Sequence, residues 1–112
     1  MTASVVSPLS GAMPLAGSLH RVQFVVTAPA DPGILSRIIE PVAKLGHVPR
    51  RVHASREDGD GSVMTVDLRL EGVTQRTAEL VEFALRAIVG VGHVMAMHEV
   101  QDSAGLRNRE RA

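Results

Sequence analysis

Three features of this sequence carry side chains that could do chemistry. The first is the turn Ala30-Asp31-Pro32-Gly33, which leads into the apolar run beginning Ile34-Leu35. Free N–H groups at a helix start attract carboxylates, and a glycine there lets a ligand approach the backbone. The same residues also read as a plain cap, with Asp31 accepting from the orphan N–H groups and Pro32 at the first helical position. The second feature is the pair Arg50-Arg51. Two adjacent guanidinium groups could clamp an anionic ligand or a partner's carboxylates, or could simply protect a sheet edge from stray pairing.

The third feature is the set of five histidines, His20, His47, His53, His93 and His98. None lies four residues from another on an expected helix. His47 and His53 would share a strand face but stand about 20 Å apart by strand rise. His93 and His98 would fall on opposite faces. Without cysteine or a close carboxylate this is a poor metal set, and no metal site is expected. Ser36 has no neighbouring histidine to activate it, and there is no P-loop or G-x-G-x-x-G. RNA-binding versions of this fold stack bases on aromatic residues of the central strands, but here those positions hold Val, Gln, Met and Thr; the anion loop and positioned amide of acylphosphatase-like chemistry are also missing. The expectation is a binding protein with no catalytic residue and no cofactor.

Composition supports that expectation. The chain has 112 residues, room for one domain with one core. Twelve basic and twelve acidic side chains cancel, so no global positive field draws in nucleic acid. Cysteine is absent, which excludes thiolate chemistry and fits a reducing compartment, the cytoplasm. The apolar runs are shorter than the ~20 residues a membrane span needs. Residues 1–18 contain no Lys or Arg and read as a flexible leader. Residues 101–112 read as a disordered polar tail, leaving 19–100 as the domain.

Periodicity within the domain predicts six elements. His20–Ala28 alternates, with Val22, Phe24, Val26 and Ala28 on one side and Arg21, Gln23, Val25 and Thr27 on the other. Ile34, Leu35, Ile38, Ile39, Val42 and Leu45 recur at helical spacing and Gly46 closes the helix, with Pro41 expected to kink or weaken its last turn. His47–Ser55 predicts a second strand, confined to an edge by Pro49. Glu57–Gly61 predicts a hairpin turn. Ser62–Leu70 alternates, with Met64, Val66, Leu68 and Leu70 inward and Val63, Thr65, Asp67 and Arg69 outward. Thr74 caps a second helix running to about Val89, with Leu80, Val81, Ala84, Leu85 and Ile88 as its stripe. Val94–Val100 is the fourth strand. The order βαββαβ implies an α+β ferredoxin-like fold, a four-stranded antiparallel sheet with two helices on one face. Val25, Val63, Met95 and Met97 would then lie on or near the uncovered face, which makes a partner or a second copy the expectation.

The residues from His20 to Val100 resemble an ACT domain. The matching parts are the strand ending at Ala28, the Asp31-Pro32-Gly33-Ile34-Leu35 approach to helix one, Gly46, the Glu57–Gly61 hairpin, and Val91-Gly92-His93-Val94 before strand four. Gly33-Ile34-Leu35-Ser36-Arg37 and Met64-Thr65-Val66 are similar to the first helix and third strand of the short, single-domain small regulatory subunits of acetolactate synthase. The resemblance implies a homodimer or higher homo-oligomer that regulates the catalytic subunit of that enzyme in branched-chain amino-acid biosynthesis. The alternative is a free-standing amino-acid sensor or oligomerisation module. By the same resemblance, an amino acid would sit between Ala30, Asp31, Pro32, Gly33, Ile34 and Leu35 of one protomer and Val48, Pro49, Arg50 and Arg51 of another. The chain departs from the valine-sensing members at Ala30 and Val48, where those carry polar amides.

Overall fold

The period-two alternation of the first strand sets the architecture. The computed structural model describes residues 18–57 and 59–101. The expected leader and tail lie outside these apart from Ser18 and Gln101. Strand β1 (Leu19–Pro29) buries Val22, Phe24, Val26 and Ala28 on one face. It lies at the centre of a sheet ordered β2-β3-β1-β4, in which β3 is Val63–Val73 and β4 is His93–Gln101. Strand β2 (Arg51–Arg56) is one edge and β4 the other. Every neighbouring pair is antiparallel. Helices α1 (Ile34–Lys44) and α2 (Gln75–Arg86) complete the βαββαβ order.

Both helices cover the same face. Ile34, Ile38 and Val42 of α1 and Ala78, Val81 and Leu85 of α2 join Phe24, Val26, Val66, Leu68 and Leu70 in one buried cluster. Phe24 is its largest member. Burying side chains of this size is worth about 1.5–3 kcal/mol each, and the interlocking of strand and helix side chains fixes register, since a one-residue slip would turn the apolar row outward. No helix among the described residues is long and apolar enough to cross a membrane.

The boundaries differ from the expected ones at several points. Helix α1 starts at Ile34 with Gly33 as its N-cap and no side-chain cap, so Asp31 does not cap it and Pro32 precedes its first turn. The Asp31 carbonyl instead accepts from Ile34 N–H at 3.0 Å, which closes a turn ahead of the helix. The helix runs through Pro41 to Lys44. It then ends on paired bonds, Gly46 N–H to the Ala43 carbonyl and His47 N–H to the Val42 carbonyl. Gly46 makes this closure possible by taking φ +80°. Leu45 falls outside the buried stripe and is exposed.

Strand β2 begins at Arg51 rather than His47. Pro49 has no N–H to contribute, and pairing with β3 starts with Arg50 N–H on the Arg69 carbonyl at 2.7 Å. Its edge position is as expected. Helix α2 stops at Arg86, three residues short of Val89, and Ala78 rather than Leu80 takes its buried position. Thr74 caps it as expected, accepting from Thr77 N–H at 3.1 Å.

Candidate functional site

The sheet face without helices carries rows of side chains that run across the strands. Cα pairing gives the rows directly. Behind the Val63–Pro29 pair at the β2–β3 hairpin lie Ser55, Thr65, Thr27 and His93. His53, Asp67, Val25 and Met95 follow, and then Arg51, Arg69, Gln23 and Met97. Toward the far end, before the Leu19–Gln101 pair, Arg21 lies beside Glu99, with Glu71 on its other flank across an irregularity in the β1–β3 pairing. The expected apolar patch is present: Met95 and Met97 are each 48% exposed and Val63 is 38% exposed. It occupies only part of the face, and the remainder is polar or charged.

Arginine dominates the far end. A cleft of about 550 Å³ is lined there by Arg21, Arg50, Arg51, Arg69, Glu71 and Glu99, with Met97 at its apolar side. Arg21 Nη1 donates to Glu99 Oε1 at 3.2 Å, and its Nε lies 3.8 Å from Glu71. Arg50 reaches the other Glu71 oxygen at 3.5 Å. Arg69 faces Asp67 at 3.3 Å, and Asp67 also accepts from Gln23 Nε2 at 3.0 Å. These strands bring together side chains from positions 21, 50–51, 69 and 99. The sequence singles out only Arg50 and Arg51; Arg21, Gln23 and Arg69 appear there merely as outward-facing residues, because the register that joins them is not a local property.

The turn ahead of α1 lies at the other end of the sheet. Pro29 pairs with Val63, whereas Arg51 pairs with Arg69. Those positions are six steps apart along β3, roughly 20 Å at the usual strand rise. Within one chain, therefore, Ala30–Leu35 and Val48–Arg51 do not form one site. The turn is tied down by its own bonds. Ala30 N–H donates to the Ser62 carbonyl at 2.9 Å, and the Asp31 carboxylate is held by Arg37 Nη2 at 2.9 Å. Ile34 is buried in the core and Leu35 packs against it, while Asp31, Pro32 and Gly33 are exposed. Nothing lies within 4 Å of the place where a Gly33 side chain would begin, so its backbone is open to approach. Val48 is 90% exposed.

His93 and His98 take opposite faces, His98 lying 3.7 Å from Glu82 on the helix side. No three histidine or carboxylate side chains converge among the described residues.

The sequence profile of the ACT-like domain family matches residues 17–103, which spans the whole described fold. This chain belongs to that family. Solved structures agree in fold. A crystal structure of the ACT domain from the GTP pyrophosphokinase of Chlorobium tepidum is 16% identical, covering 69% of this chain and 96% of that one with a TM-score of 0.58. The solution structure of the C-terminal domain of the MgtC protein from Mycobacterium tuberculosis is 19% identical, covering 75% and 90% with a TM-score of 0.58. At these identities the likeness is one of fold. No curated protein matches the sequence. ACT domains are generally regulatory, non-catalytic modules.

Proposed function

We propose that this ACT-like domain is a non-catalytic regulatory subunit that works by contact, as a homodimer or higher homo-oligomer, with the catalytic subunit of acetolactate synthase as its partner. The observation that carries the contact reading is the uncovered sheet face, where Met95 and Met97 stay half exposed and Val25 lies directly opposite Met95. Flexible methionines suit a surface that must fit a second protein. The similarity of Gly33-Ile34-Leu35-Ser36-Arg37 and Met64-Thr65-Val66 to the small subunits of that enzyme supports the choice of partner. Any amino acid would be held between the turn at Ala30–Leu35 of one copy and Val48–Arg51 of another. The roughly 20 Å between these segments in one chain fits a site that needs two copies. Mixing the purified chain with the catalytic subunit on a sizing column, with an activity assay on the fractions, tests the reading. A co-eluting, more active complex is expected; separate elution and unchanged activity would sink it.

A second reading is a free-standing sensor or oligomerisation module. The arginine-lined cleft favours it, since a protein that activates by contact alone has no need of one. A thermal-shift series over the free amino acids distinguishes the two. Stabilisation without binding to the catalytic subunit supports the sensor.

A further inference from the structure

Like charges face each other at the arginine end of the uncovered face. Arg51 and Arg69 are direct partners across β2 and β3. Their side chains leave the same face with Cβ atoms about 5 Å apart, a placement in which like charges repel. Arg69 finds partial relief in Asp67 at 3.3 Å, but the Asp67 oxygens are shared with Gln23. Arg51 forms no ion pair with any described residue. The next row offers no spare carboxylate, because Glu71 and Glu99 are already engaged by Arg50 and Arg21. The Nε of Arg21 is itself buried with no hydrogen-bond partner. Edge protection explains one charge on β2; it does not explain a second guanidinium directly opposite, nor a cleft of about 550 Å³ over both.

We propose that Arg51 and Arg69 bind a small-molecule oxyanion, a phosphate or carboxylate group, seated between the two guanidinium groups with the rest of the ligand lying toward Met97. The fork of an arginine matches either oxyanion with two parallel N–H···O bonds. One anion bridging both forks turns the repulsion into two attractions. Gln23 and Met97 continue the same row across the sheet, which gives the ligand body a polar and then an apolar floor. The cleft's remaining carboxylates are paired, so the ligand needs only one anionic head. This site stands on the single chain and does not depend on acetolactate synthase being the partner.

The test is a titration of the full chain, at matched ionic strength set with chloride, with inorganic phosphate in one arm and acetate in the other. Arginine Nε–Hε and backbone amide NMR signals provide the readout. The expected result is saturable movement of the Arg51 and Arg69 signals. A response in the phosphate arm alone assigns a phosphorylated ligand, and a response in both assigns a carboxylate-tolerant site. Arg51→Gln lies on an exposed edge strand and should fold normally, yet weaken binding about tenfold or more, the value of one charge-assisted pair. In chloride buffer free of phosphate and carboxylates the same variant should melt at a higher temperature than the unaltered chain, because it removes the like-charge pair. Absence of any saturable response overturns the proposal, as does an Arg51→Gln variant that titrates like the parent. Loss of self-association in Arg51→Gln without any anion response also overturns it, and assigns the arginines to a contact between copies.

Discussion

The two ends of the sheet carry charge in opposite ways. At the helix-leading end, Asp31 is answered by Arg37 at 2.9 Å, and the turn's N–H groups find carbonyls at Ser62 and Pro29. At the arginine end, Arg51 faces Arg69 and lacks a carboxylate among the described residues. Both ends rest on the same buried floor, so packing alone does not account for the contrast. A fold under selection for stability alone would not keep two guanidinium groups directly opposed on an exposed edge. The contrast separates a turn that holds itself from a surface that is completed by something else.

The largest test removes the floor. Phe24→Ala empties the centre of the cluster and should cost about 3–5 kcal/mol, measured by urea unfolding. Both ends should be lost together in one cooperative transition; separate transitions would show that they do not share a core. Next, Gly46→Ala forces a side chain into the left-handed region at φ +80° and should cost about 1–2 kcal/mol. Its effect bears on the arginine end, since Gly46 delivers the chain to Arg50 and Arg51. A loss below a few tenths of a kcal/mol would mean that the helix can close without the glycine. Asp31→Ala breaks the ion pair with Arg37, which is half exposed on both sides, and should cost about 0.5 kcal/mol or less. It should leave phosphate binding untouched; a change in that titration would show that the two ends are coupled.

The smallest effect lies at the β2–β3 hairpin. Hydrogen bonds from the Ser62 side chain and backbone hold the Asp60 carboxyl below its usual range. A lowered folded value means that its contribution is present above the ordinary aspartate pKa of about 3.9 and is lost as pH falls through the lowered one. Asp60→Asn should therefore flatten only the most acidic part of the melting-temperature profile. A difference between variant and parent that grew toward neutral pH would contradict this.

Much of the fold was legible because its signals are local. The alternation in β1 and β3 and the stripe in α1 mark the core directly, and the period of two leaves no freedom about which face turns inward. Element ends were less legible where two local rules compete. Asp31 has the right chemistry for a cap, but Arg37, two turns on, is a stronger partner for its carboxylate than a backbone N–H, and the preceding turn displaces it from the cap position. His47–Ser55 is rich enough in β-formers to read as strand, yet Pro49 denies it the first ladder bonds. The arginine cleft was illegible for a different reason. Arg21, Arg51 and Arg69 come from three strands, and only their register makes them neighbours. Arg51 is conspicuous in the sequence because of its adjacency to Arg50, whereas the partner that gives it meaning is Arg69.

The most direct measurement is the melting temperature of Arg51→Glu against the parent, with and without phosphate. The substitution places a carboxylate opposite Arg69 and should stabilise the chain by about 0.2–1 kcal/mol in chloride buffer free of phosphate and carboxylates. Phosphate should raise the parent's melting temperature and leave the variant's unchanged. A variant less stable than the parent, or one that phosphate stabilises equally, would contradict the account.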